Sequence, residues 1–273
     1  CRHVAGWSEA EIRRQIRGDR IDVLVHVDSH MPSHRNPMVY RSRSAPVEVS
    51  LNIYPGTSGS SVVDYFLTDS WCDPPGETDH LYTEQLWRLP SGAWYYRPPD
   101  VTPEVGELPA LSRGSCRFVF LQRPAKTNPL MWDLLASVLR EVEDSSLLMQ
   151  NGDPWLDDPK GYFARKARRE MERRGVDPGR VTFIGSRPLE ERLRLLGEEA
   201  DVALDSYPYN GCTTTCECLW MGVPVVTLRG RSLVSRVSYS LLARTGLAEL
   251  AAETPEDYVR AAVHLTSDLG RLS

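Results

Sequence analysis

Lysine is almost missing from this sequence: of its 32 basic residues only Lys126, Lys160 and Lys166 are lysines, so each is conspicuous where it falls. Cysteine is also sparse. Six in 273 residues are too few for a disulfide scaffold, and no leader-like segment precedes them, so a reducing cytoplasmic compartment is expected. A surplus of positive charge is lacking as well, since the formal net charge is -5, which argues against an electrostatically driven nucleic-acid binder. No apolar run approaches the ~18 residues that a membrane span needs. Two phosphate-binding fingerprints are absent: there is no G-x-x-x-x-G-K-S/T, and no G-x-G-x-x-G between a strand and a helix. An ordinary P-loop kinase or dehydrogenase is thereby excluded. Nor is there an Asp-x-Asp pair to hold a cation.

What is present is 41% hydrophobic and 25% charged, the composition of a well-cored globular chain long enough for two domains. Opening at Cys1 without a methionine and closing on a helical pattern, it reads as a piece of a longer protein. Ser8 and Glu11 form a capping box that opens a helix to about Gly18. "IDVLVHVD" then reads as a buried strand, followed by strands at 45–53, 62–69 and 85–90. Residues 97–114 carry four prolines and little periodicity, so they read as a linker between a first lobe, 1–96, and a second, 115–273.

In the second lobe strands and helices alternate: "RFVFLQ", a helix from Pro129, "SLLMQ", a basic helix over about 160–174, "RVTFIG", "PLEERLRLLGEE", "DVALD", a helix opened by "NGCTTT", then "PVVTL" and helices at about 232–245 and 255–267. This pattern predicts a doubly wound parallel sheet, Rossmann-like, with helices on both faces.

Ligands of such sheets lie beyond the carboxyl ends of the strands, and "DVALD" delivers the chain to that edge just before "SYPYNGCTTT". Unbonded N–H groups at a helix start favour an anion; Gly211 permits close backbone approach, and Thr213, Thr214 and Thr215 add hydroxyl donors. A phosphate or pyrophosphate fits, as does a plain N-cap at Thr213. Glu217, one turn further, could accept bonds from ribose hydroxyls, or simply be favoured by the helix dipole. Lys126 follows strand "RFVFLQ" at the same edge, where its ammonium could meet the same anion; the alternative is a surface lysine. Cys212, Cys216 and Cys218 have no fourth ligand spaced to complete a zinc site, so no metal is expected. His26 reads as a core histidine, whereas His30 and His34 lie in a polar loop.

"ALDSYPYNGCTTTCECLWMGVPVVTL", "SLVSRVSYSLLARTGLAEL", "RPAK" and the first-lobe run "SAPVEVSLNIYPGTSG" together resemble the O-GlcNAc transferase and SPINDLY family of GT-B glycosyltransferases. The resemblance runs with gaps over essentially the whole chain, in the family's order. It implies a GT-B fold of two Rossmann-like lobes, here with the first incomplete, and no cofactor beyond a nucleotide-sugar donor. The implied reaction is an inverting, metal-independent sugar transfer, most simply of GlcNAc from UDP-GlcNAc to Ser or Thr hydroxyls of proteins. GDP-fucose as donor and a degenerate, non-catalytic binding module are the alternatives. The resemblance further implies that Lys126 stabilises the leaving diphosphate and that Asn210, Gly211, Thr213, Thr214 and Thr215 surround the phosphates. It places Glu217 at the ribose, Arg187 and Pro188 at the nucleobase, and Gln122 and Arg123 along the donor site. Pro55, Gly56 and Thr57 would face the sugar and acceptor, and His30 would act near the acceptor. The family's first lobe starts earlier, often behind a tetratricopeptide array that recruits protein acceptors. Departures are Leu51-Asn52-Ile53 before the Tyr-Pro-Gly-Thr run, where the family has Trp-Leu-Gly, and "FLQRPAK" at the lysine segment.

Overall fold

A computed structural model describes residues 3–27, 42–51, 56–150, 161–185 and 187–272. The chain divides into two compact units, Cys1–Tyr95 with Ser232–Val234, and Tyr96–Arg231 with Ser235–Ser273.

The first unit opens with α1, Glu9–Gly18. It starts where Ser8 Oγ accepts from the Glu11 N–H and the Glu11 carboxylate accepts from the Ser8 N–H, a complete capping box. Four short strands follow, β1 Val23–His26, β2 Val47–Ser50, β3 Tyr65–Thr68 and β4 Gln85–Arg88, all parallel and lying side by side in chain order. β1 is not the fully buried strand its apolar run suggests. Val23 and Val25 are 53% and 46% exposed, because β1 borders the sheet among the described residues and turns one face outward. The interior of this unit is unusually polar. Glu48, at the centre of β2, accepts from the His26 ring at 2.8 Å and from the backbone of Ser44 and Ala45. Asp73 accepts from Thr68 and Tyr82, and Asp69 from the N–H groups of Trp71, Cys72 and Ala93.

Residues 97–114 are not wholly irregular. Their second half contains α2, Pro109–Arg113, started by a proline and stopped by Gly114 at φ 75°. Asp201 holds it to the second unit, accepting from the Ala110 N–H at 2.7 Å and the Arg113 guanidinium at 2.8 Å. A five-residue helix shows no periodicity to read.

The second unit is built on β5 Arg117–Phe120, β6 Ser146–Gln150, β7 Val181–Ile184, β8 Val202–Leu204, β9 Val225–Leu228 and the two-residue β10 Ala251–Ala252. All pair in parallel, in the order β10-β9-β8-β5-β6-β7, the doubly wound arrangement. Between them run α3 Pro129–Glu141, α4 Tyr162–Glu172, α5 Leu189–Glu199, α6 Thr213–Trp220 and α7 Val237–Arg244, with α8 Pro255–Ser267 and α9 Leu269–Leu272 closing the chain.

Alternation along β5 shows why both faces must be covered. Phe118 and Phe120 enter one apolar cluster with Leu135 and Leu139 of α3 and Tyr258 of α8. Val119 and Leu121 enter the other, with Leu193 and Leu196 of α5, Cys218 of α6 and Leu242 of α7. The strand is therefore an uninterrupted apolar run, as expected of a parallel strand buried on both sides.

Candidate functional site

In a doubly wound sheet the strand order reverses between the first and fourth strands, opening a crevice at their carboxyl ends. Here those strands are β5 and β8.

β5 runs out into Leu121 and Gln122, then a single turn, Pro124–Lys126, that brings Lys126 back over the strand end. The Lys126 ammonium donates to Gln122 Oε1 at 2.8 Å and to the Asn210 carbonyl at 2.9 Å, and it sits 4.5 Å from the centre of the Tyr209 ring. β8 runs out into Asp205, only 2% exposed. Asp205 Oδ1 accepts from the Gly211 N–H at 2.7 Å, the Ser206 N–H at 2.8 Å and Gln122 Nε2 at 3.1 Å, while Oδ2 accepts from the Thr227 hydroxyl at 2.7 Å. Its carbonyl takes the Tyr258 hydroxyl at 3.0 Å. Burial pushes the Asp205 carboxyl above the usual carboxylate range, against the opposing bonds from Ser238, Thr227 and Gly211. Burial likewise holds Lys126 below an ordinary lysine, and Asp205 opposes that shift.

The chain then turns into α6. A Cβ at Gly211 would stand 2.6 Å from the Thr215 hydroxyl, 2.7 Å from that of Thr214 and 3.1 Å from Gln122 Nε2, so only glycine fits. No side chain caps α6, which leaves its first N–H groups without a side-chain acceptor. The three threonines differ in what they offer. Thr213 is exposed and Thr214 half-buried, whereas Thr215 is buried with its hydroxyl paired to Ser238 at 2.9 Å, and Ser238 in turn donates to the Gly211 carbonyl. Asn210 is buried and donates to the Ser206 carbonyl; its Oδ1 has no partner among the described residues.

Glu217 faces inward at 1% exposure and is gripped by Arg192 of α5 through two bonds of 2.8 and 2.5 Å. The bonds from Glu217 raise Arg192 above an ordinary arginine. Arg192 also reaches the Arg187 carbonyl at 3.4 Å, which ties the exposed Arg187-Pro188 loop to Glu217. Arg123 is exposed beside Lys126.

In the first unit Thr57 donates to Glu84 at 2.7 Å, next to the Ser58 N–H on the other Glu84 oxygen at 2.6 Å, and Gly56 has φ 149°. Pro55, His30, Asn52 and Ile53 lie outside the described residues.

Burial pushes the Cys212 thiol up to about 12 and that of Cys216 to about 11, and raises Cys218 as well, so all three stay protonated at neutral pH. Among the described residues no group of three or more His, Cys, Asp or Glu is placed to hold a metal. No helix among them is long and apolar enough to cross a membrane. The hollow between Gln122, Asp205, Thr214 and Thr215 is about 10 Å³, room for one water. Another hollow, about 410 Å³ beside β10 among Glu249, Glu253, Asp257 and His264, shares none of these residues.

The profile of Glycosyl transferase family 41 matches residues 7–95 and 116–273. The chain belongs to this family. Among curated family members, the probable UDP-N-acetylglucosamine–peptide N-acetylglucosaminyltransferase SPINDLY of Petunia hybrida is 34% identical over 272 residues, which are 100% of this chain and 28% of that protein. The corresponding enzyme named SEC in Arabidopsis thaliana is 28% identical, over 98% of this chain and 27% of its own length. A solved structure of a mutant Thermobaculum terrenum O-GlcNAc transferase superposes with TM-score 0.90 at 37% identity, over 99% of this chain and 50% of that one. This family 41 chain thus spans less than a third of the curated relatives and half of the bacterial transferase. Its two parallel α/β sheets are GT-B-like.

Sequence reasoning did not find Asp205, Tyr209, Ser238 or Tyr258. The one available signal was a carboxylate closing an otherwise apolar strand, "DVALD".

Proposed function

We propose that this chain carries the donor site of a protein glycosyltransferase, which moves a sugar from a nucleoside diphosphate to Ser or Thr hydroxyls of proteins. UDP-GlcNAc is the donor that the names of its relatives favour. The observation behind this reading is the convergence of the Lys126 ammonium, the uncapped start of α6 and the Cβ-free Gly211 at the β5/β8 switch point.

The chemistry follows from charge. The acceptor hydroxyl attacks the anomeric carbon as the bond to the β-phosphate oxygen breaks, inverting the configuration, and negative charge develops on the departing diphosphate. Lys126 and the N–H groups of α6, with the Thr213 and Thr214 hydroxyls, offset that charge as fixed donors, each worth on the order of 10²–10³ in rate. No metal is needed for this step. The proton leaves the acceptor to a base on the sugar side, where the family resemblance points to His30. Glu217, buried under its two bonds from Arg192, stiffens the wall at the ribose, and the Arg187-Pro188 loop that Arg192 also holds meets the nucleobase.

Thermal unfolding with UDP, UDP-GlcNAc, GDP and GDP-fucose, on the chain and on Lys126→Ala and Thr214→Ala, tests the reading. A ligand at a hundredfold its Kd adds about 2.7 kcal/mol, roughly 5 to 10 °C at this size. Stabilisation by uridine nucleotides, lost in both variants, is the expected result. Stabilisation by guanosine nucleotides alone would replace the donor with GDP-fucose. Silence with all four would refute the donor site. Transfer to protein is then assayed on the longer protein that this chain matches in part, where binding without turnover would favour a non-catalytic module.

A further inference from the structure

Asp205 is the most heavily bonded side chain of the switch point, and the reaction as outlined above makes no use of it. Its Oδ1 gathers Gly211 and Ser206 of the turn before α6 together with Gln122 from the end of β5, and its Oδ2 ties the cluster to Thr227 of β9. Gln122 has a fixed sense. Its Nε2 donates to Asp205 at 3.1 Å and its Oε1 accepts from Lys126 at 2.8 Å, so the amide passes the carboxylate's polarity on to the ammonium. Lys126 is half-buried, so a counter-charge favours its ammonium before any ligand arrives.

We propose that Asp205 is a positioning residue, the buried counter-charge whose hydrogen bonds, relayed by the Gln122 amide, hold the Lys126 ammonium and the Gly211 backbone in the arrangement that receives a diphosphate. The inference rests on the donor site proposed above. The groups that face Lys126 are Asp205 just past β8, Arg123 from its own loop, and the Tyr209 ring and Cys212 thiol from the segment before α6. Those that face Asp205 are Lys126, the Cys212 thiol before α6, the Cys218 thiol of α6 and, from α8, the Tyr258 hydroxyl. Cys212 is protonated and Arg123 repels, whereas Asp205 accepts four hydrogen bonds, as a carboxylate does, and favours the charged form of Lys126.

Because the sequence holds three lysines, a ¹³C-methyl-tagged or ¹³Cε-labelled sample gives three lysine signals, and Lys126→Arg assigns the relevant one. Asp205→Asn preserves the shape: its Oδ1 still accepts, and its new amide can donate to the Thr227 hydroxyl. In a ligand-free pH titration of the chain, the Lys126 midpoint should lie below 10.5 and fall by a further one to two pH units, roughly, in Asp205→Asn, with Lys160 and Lys166 unmoved. An unchanged Lys126 midpoint in a folded Asp205→Asn protein would overturn the proposal. Should that variant not fold, Gln122→Leu, which cuts the relay and leaves both charges, should lower the midpoint in the same direction by less, and no drop there would also overturn it. UDP titrated into the same samples separates the two levels. Absence of UDP binding in the unsubstituted chain counts against the donor site alone, since the lysine titration needs no ligand.

Discussion

The two units share parallel strands but are held together differently. In the second, both faces of the six-stranded sheet are sealed by apolar helices, so that Phe118, Leu135, Leu139 and Leu147 are wholly buried. In the first, four-residue strands enclose carboxylates, and Glu48, Asp69, Asp73 and Glu84 are buried on hydrogen bonds. The difference teaches where each kind of precision comes from. Apolar packing makes a rigid platform from which Asp205 and Lys126 project at fixed strand ends. Bonded carboxylates pin the connections between strands, as Glu84 pins Thr57 and Ser58.

Substitutions that strike one kind of cement and spare the other should break this contrast. The largest effect is expected from Leu139→Ala, a wholly buried α3 residue whose loss should cost about 2–5 kcal/mol in denaturant unfolding and remove hydrogen-exchange protection from β5 and β6 but not β2 and β3. Glu48→Ala should follow, at about 2–3 kcal/mol, because it removes a buried acceptor from the His26 ring and from two backbone N–H groups; here protection should be lost from β1 and β2 instead.

Glu84→Gln should cost about 1–2 kcal/mol at neutral pH, and its cost depends on acid. The bonds from Ser58 and Thr57 outweigh burial and hold the Glu84 carboxyl below its usual 4.5. A depressed carboxyl contributes stability that is present above 4.5 and lost as the pH falls through the folded value, so wild-type and variant unfolding curves should converge on acidification. The smallest effect is that of Asn128→Ala, about 1 kcal/mol, which removes the cap on α3 and a bond to the Tyr207 carbonyl.

The second unit was legible in the sequence because its signals are local. The run RFVFL alternates between two faces, Asn128-Pro129 starts a helix, and Gly211 stands before three threonines. The first unit was less so, and β1 shows why: an apolar run gives a strand's existence but not whether a neighbour covers its second face. Asp205 was invisible for another reason. Its partners lie between 1 and 83 residues away, and a single aspartate at a strand end is unremarkable until the fold brings Gln122, Gly211 and Thr227 to it. Likewise Glu217 announces a polar role, but its ion pair with Arg192, 25 residues upstream, emerges only when α5 lies against α6.

A diphosphate held where β5 and β8 diverge, as proposed above, should show most directly in the three-lysine spectrum. Titrating UDP, with uridine as the phosphate-free control, should move the Lys126 signal saturably while Lys160 and Lys166 stay in place, and uridine should move none of them. UDP that binds this chain and leaves the Lys126 signal where it was would contradict the account.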